Sequence, residues 1–138
     1  MKRYEQFPHT ADIGIRVFGK DIPELFENAA FALFDTIGDL EGLKGEIKET
    51  VEVKAENFED LLIAWLDELL YRFCTKEILF YSFDIESLSP TSLTATALGR
   101  SIRANRNRLK TEIKAATYHD VKIRKSADGY EVEIILDV

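Results

Sequence analysis

Residues 13–38 read IGIRVFGKDIPELFENAAFALFDTIG, and the fold class turns on the change of period inside this stretch. Ile13, Ile15 and Val17 alternate with Gly14, Arg16 and Phe18, the period-two pattern of a strand. Gly19-Lys20-Asp21 breaks the alternation. Asp21 followed by Glu24 is a helix N-terminal pattern, and Pro23 falls in the first turn, where its missing N–H removes no hydrogen bond. Leu25, Phe26, Ala29, Ala30, Leu33 and Phe34 then recur at helical spacing as far as Gly38.

Outward from this unit the pattern repeats and then changes. On the N-terminal side, Tyr4 to Phe7 is a short edge strand at best. On the C-terminal side, an acidic loop with Gly38, Gly42 and Gly45 leads to a strand with Ile47, Val51, Val53 and Ala55 on one face. Asn57 with Asp60 opens the strongest helix, whose stripe is Leu61, Leu62, Trp65, Leu66, Leu69, Leu70 and Phe73. Cys74 beside Phe73 is expected to be a buried, inert thiol. Leu79, Tyr81, Phe83 and Ile85 alternate, as do Leu93, Ala95 and Ala97, so two strands should meet near Ser89-Pro90. Val121 and Ile123 are expected to pair with Tyr130, Val132, Ile134 and Leu136 across Ala127-Asp128-Gly129, where Asp-Gly suits a tight turn. The expected fold is α+β: two helices packed on a mostly antiparallel β-sheet, a two-layer single domain spanning residues 1–138.

Composition narrows the function. At 138 residues with 46% hydrophobic content, the chain can bury a core and is not a disordered segment. A net charge of −7 argues against non-specific coating of nucleic acid or anionic membrane. The charge is split: residues 20–60 carry 12 acids and 4 bases, whereas residues 100–125 carry 9 bases and 2 acids. Two such faces either attract each other across the fold or present one surface to an acidic partner. A single cysteine excludes an internal disulfide and a multi-cysteine zinc site. Neither a signal sequence nor an apolar run of membrane-spanning length is present, so a soluble, cytoplasmic protein is expected.

No phosphate-binding glycine loop, dinucleotide fingerprint or nucleophile elbow occurs, and two histidines leave little for a Ser/His/Asp triad. What remains is local. Phe7-Pro8-His9-Thr10-Ala11-Asp12 lies at a strand start, where Asp12 or Thr10 could equally serve a turn. Glu112 to His119 is dense in functional groups, with Lys114, Thr117 and His119 beside two alanines; a plain amphipathic strand is the alternative. Leu136-Asp137-Val138 closes the sequence directly after a strand, so Asp137 and a terminal oxygen of Val138 are adjacent hard donors. With Asp12 they would suit Ca²⁺, Mg²⁺ or Mn²⁺ rather than zinc. Arg100, Arg103, Arg106 and Arg108, with no acid between them and no interleaved aromatics, form either a partner-facing arm or a solvated one.

The segments His9-Thr10-Ala11-Asp12-Ile13, Glu112-Ile113-Lys114-Ala115-Ala116-Thr117-Tyr118-His119 and Asp137-Val138, with the Trp-containing helix from Asn57 to Phe73 between them, resemble the archease family in the family's order. The resemblance implies a non-catalytic accessory protein of the RtcB-type tRNA-splicing ligase. That ligase joins a 2′,3′-cyclic phosphate or 3′-phosphate RNA end to a 5′-hydroxyl, using GTP and a guanylylated histidine of its own. It further implies a role in ligase guanylylation and turnover, contact with tRNA only indirectly, and no nucleotide bound on this chain. The metal site carried over is Asp12, Asp137 and Val138, with Ca²⁺ as its usual ion. Lys114, Thr117 and His119 become candidate activation residues, with His9 placed to orient Asp12. The residues alone also leave open a free-standing metal-dependent phosphate hydrolase with His119 as base, or an RNA-binding or chaperone-like module using residues 100–110.

Overall fold

The alternation at Ile13, Ile15 and Val17 becomes strand β2, Asp12–Gly19, and the strand is hydrogen-bonded on both sides. The computed structural model describes residues 2–45, 47–117 and 120–138. Strand β1, Tyr4–His9, is longer than the sequence suggests because it pairs antiparallel with β2 from Tyr4↔Val17 to His9↔Asp12. Ala11 turns this hairpin with a φ of 60°, the left-handed region.

Helix α1, Ile22–Ile37, starts where expected: Asp21 Oδ1 accepts the Glu24 N–H at 2.9 Å, and Pro occupies the first turn. Strand β3, Ile47–Lys54, follows the acidic loop. Helix α2, Phe58–Lys76, is capped by Asn57, whose Oδ1 accepts the Asp60 N–H at 2.8 Å. Strands β4, Ile78–Ser89, and β5, Ser92–Ser101, form a hairpin about Pro90-Thr91. After a single 3₁₀ turn at Arg106–Arg108 come β6, Ala115–Thr117, β7, Arg124–Ser126, and β8, Gly129–Asp137.

The α+β class and the antiparallel pairing hold, with the strands shared between two sheets. One is three-stranded in the order β3-β5-β4. The other runs β1-β2-β8-β6, and β7 pairs with the opposite half of β8 from β6. Helix α1 packs on β2 of one sheet and β4 of the other, so most of its surface is buried rather than one stripe. Trp65, Phe26, Phe34 and Phe80 are fully buried in the shared core. Phe34 meets Phe80 edge-on at 5.5 Å, and Trp65 meets Phe83 edge-on at 6.2 Å. The indole N–H of Trp65 donates to the Phe26 carbonyl at 3.0 Å, which ties α2 to α1.

Three strands have main-chain groups capped by helix side chains. Arg72 donates to the Thr50 carbonyl of β3 at 2.9 Å, and Glu27 accepts from Ile85 N–H of β4 at 2.9 Å. Asp67 accepts from Ala116 N–H of β6 at 2.9 Å. Open strand edges template pairing with other chains, and such caps blunt them.

Two expectations are corrected. Cys74 is exposed, because it lies a helical step around α2 from Phe73 and off the apolar stripe. Val121 and Ile123 are not in a strand: they pack against the core from a loop, and the partner of β8 is the exposed Arg124–Ser126. The alternation there reflects burial of loop side chains, which a period-two pattern cannot distinguish from a ladder.

Replacing Trp65 with Phe removes the inter-helix hydrogen bond and leaves a void in a close-packed core. A loss of about 2–3 kcal/mol is expected in urea denaturation, with the midpoint lowered and the slope unchanged.

Candidate metal centre

The strand register decides which side chains share a surface. Residues directly opposed in an antiparallel pair point to the same face. Ile13, Ile15 and Val17 of β2 point toward the core with Leu136, Ile134 and Val132 of β8. The alternate residues therefore point to the other face.

Along that outer face the chain forms rows that run across β1, β2, β8 and β6. His9 is opposite Asp12 and Ala115 opposite Asp137; the β2–β8 ladder ends at Ile13↔Leu136, so Asp12 and Asp137 are the next residues beyond its last pair. Continued by one residue, that register would set His9, Asp12, Asp137 and Ala115 in one row. Asp12 Oδ2 lies 3.8 Å from Nδ1 of His9, which is ion-pair range and longer than a hydrogen bond. The Asp137 carbonyl accepts the Lys114 N–H at 2.7 Å. Asp137 is exposed and Val138 is 39% exposed.

The next row is Phe7, Gly14, Ile135 and Thr117. The Phe7 ring lies over Gly14, where a Cβ would overlap it, so the small residue is required at this crossing. Thr117 Oγ1 is buried with no hydrogen-bond partner among the described residues. Beyond it, Arg16 is clasped by Glu5 and Glu133 from either side, and its guanidinium is 5.3 Å from the Phe7 ring. Hydrogen bonds from Lys2 and Arg16 hold the Glu5 carboxyl below the usual carboxylate range.

The donor set at Asp12 and Asp137 is hard oxygen, which fits an alkaline-earth ion or Mn²⁺. Among the described residues no three His, Cys, Asp or Glu side chains form a metal-holding group by themselves. A cation here would take Asp12, Asp137 and a main-chain oxygen of Val138, and complete its shell with water or a partner's oxygens. Two like charges on adjoining strand ends repel in the cation-free state, which is the electrostatic condition a bound cation would relieve.

Comparison with known proteins shows the family of the chain. Residues 4–138 match the Archease protein family (MTH1598/TM1083). A protein archease from Methanosarcina barkeri is 39% identical, with 99% of this chain and 97% of the relative covered. One from Pyrococcus abyssi is also 39% identical, over 100% of both chains. The solution structure of Methanobacterium thermoautotrophicum protein 1598 superposes with a TM-score of 0.86, at 36% identity and full coverage. The chain belongs to the archease family.

Lys114 meets the end of β8 through its backbone N–H, and it borders a hollow with Asp67, Leu70, Tyr71, Cys74 and Ala115. Thr117 is one row away from the carboxylates. His119 lies outside the described residues.

The arginines are placed elsewhere. Arg103 and Arg106 converge on Glu77, at 2.6 and 3.0 Å, and lower that carboxyl's pKa. Glu77 ends α2 in the left-handed region with a φ of 57°. Arg108 donates to the carbonyls of Asp39 and Glu41 at 3.0 and 2.6 Å, and Arg100 reaches the Lys44 carbonyl at 3.4 Å. This arm therefore binds the acidic loop through main-chain oxygens, a role that residue type alone does not reveal.

Asp67, which accepts the Ala116 N–H, and Gly14, under the Phe7 ring, are contacts that the sequence reading does not single out. A carboxylate at helical spacing between Ile63 and Leu70 was the available signal for the first. Arg108→Ala should raise hydrogen exchange and proteolytic cleavage within residues 39–44. Arg103→Ala should leave that loop unchanged, since the Arg103 guanidinium pairs with Glu77 at the end of α2.

Proposed function

We propose that the chain is an activator of an RtcB-type RNA ligase and is not itself an enzyme. In this reading it acts in tRNA splicing in the cytoplasm and promotes guanylylation and turnover of the ligase. GTP binds the ligase, and tRNA meets this protein only through it. The observation that carries the reading is the pair of carboxylates, the partly exposed Asp12 and the exposed Asp137, one residue beyond the last β2–β8 pair on the outer sheet face.

Family membership supports the partner, and the donor chemistry supports calcium as the ion. A cation held there would supply positive charge against a partner's phosphates or carboxylates. The residues of this chain have simpler tasks. Asp12 and Asp137 hold the ion, Val138 adds a main-chain oxygen, and His9 biases the Asp12 side chain. Lys114 holds the Asp137 carbonyl by its N–H, and its exposed ammonium is the group to meet an anionic partner. Thr117 keeps a hydroxyl in the adjacent row. Arg103 and Arg106, 80% and 60% exposed, retain surface for a partner even while paired with Glu77.

Asp12→Ala and Asp137→Ala should keep the wild-type circular dichroism spectrum and lose stimulation of ligation in a reconstituted assay with the cognate ligase. Full stimulation by either variant would falsify the reading.

Stability should show the same dependence without the ligase. In chelator, Asp137→Asn relieves repulsion and should melt at or slightly above wild type, by a few tenths of a kcal/mol. In millimolar calcium the order should reverse, because only the wild type gains binding energy on folding. Identical melting order in both buffers counts against a cation at these residues.

A further inference from the structure

Asp67 is a carboxylate in an apolar place. It follows Ile63 by four residues and precedes Leu70 by three, and both neighbours are buried. Burial pushes its carboxyl above the usual range, and the Ala116 N–H only partly offsets that. Among the described residues it has no ion-pair partner. A half-buried, unpaired carboxylate is costly unless its hydrogen bond does something that an apolar residue cannot.

What the bond holds is β6. This strand has three residues, too few to persist without support. One side pairs with the end of β8, through Ala115↔Asp137, Ala116↔Leu136 and Thr117↔Ile135. The Ala116 N–H, by contrast, goes to Asp67 on α2 at 2.9 Å. The pairing of β2 with β8 has its last ladder pair at Ile13↔Leu136, one residue short of Asp137. The main chain of Asp137 is instead secured by β6 and by the Lys114 N–H on its carbonyl. A continuous line therefore runs from Asp67 through Ala116 and the β6 ladder to Asp137.

We propose that Asp67 is a positioning residue that fixes the end of β8, and with it Asp137 and the Val138 main-chain oxygen, at the spacing a divalent cation needs opposite Asp12. The role rests on the cation-binding reading above. It adds a residue outside the outer face, on the opposite side of β6, whose effect is transmitted by strand pairing. A carboxylate suits the task because it accepts the edge N–H strongly from a rigid helix.

The test compares wild type, Asp67→Ala and Asp67→Asn by amide hydrogen exchange and by calorimetric titration with calcium chloride. In Asp67→Ala, exchange at Ala116 and Asp137 should rise roughly tenfold, while β4 and β5 keep their protection. Calcium binding should weaken by a similar factor. Asp67→Asn should stay within about twofold of wild type on both measures, because the carboxamide oxygen accepts the same N–H. Unchanged exchange in Asp67→Ala overturns the proposal. Equal losses in both variants also overturn it, since charge rather than the hydrogen bond would then matter. Faster exchange with undiminished calcium affinity overturns it too, because the support would not serve the carboxylates. If wild-type protein takes up no calcium while Asp67→Ala still loosens Ala116 and Asp137, the cation reading fails and the strand-fixing role of Asp67 stands.

Discussion

The pairing of β2 with β8 is the constraint on which the other features rest. Seven residue pairs, Ile13↔Leu136 to Gly19↔Tyr130, join segments from opposite ends of the sequence. Closing so long a loop costs entropy, which the ladder and the burial of Ile15, Val17, Val132 and Ile134 offset together. The same register sorts the face. Shifting it by one residue would turn the apolar set outward and the carboxylates inward, so core burial fixes the placement of Asp12 and Asp137. Core and candidate centre are two sides of one ladder.

Helix side chains finish what the ladders leave open. Glu27, Arg72 and Asp67 each satisfy a main-chain group of β4, β3 or β6. Each is a charged group partly removed from water, which favours a hydrogen bond over an uncapped peptide group. Burial pushes the Glu27 carboxyl upward as it does that of Asp67, while the Ile85 N–H counteracts it. Arg72 belongs to a small network with Glu68 and Glu49, which Lys76 also joins. These contacts couple helix orientation to strand position in both sheets.

The two charge blocks meet less directly than opposite signs would suggest. Arg100 and Arg108 approach the acidic loop and, among the described residues, bond to its carbonyl oxygens rather than its carboxylates. Arg103 and Arg106 find their acid at Glu77, between the blocks in sequence. Guanidinium groups present several donors in a fixed fork, which suits a loop rich in main-chain acceptors. Within the loop the Asp39 carboxylate accepts the Glu41 N–H at 3.0 Å.

Local chemistry in the sequence determined the helices, their caps and most strands. Asp21, Pro23, Asn57 and the Leu-rich stripe around Trp65 act within a few residues, so their effect is visible in the order of residues. The same holds for the hard-oxygen character of Asp12 and Asp137. Burial and pairing across the chain were decided only by tertiary structure. Cys74 lies beside a buried Phe73 in sequence yet faces water, because the helix turns between them. Val121 and Ile123 alternate as a strand would, yet a loop buries them. The split into two sheets, the placement of Asp12 and Asp137 just beyond the last β2–β8 pair, and the reach of Asp67 to Ala116 all depend on register between distant segments. Register comes from the sum of many core contacts, and no short stretch of sequence contains that sum.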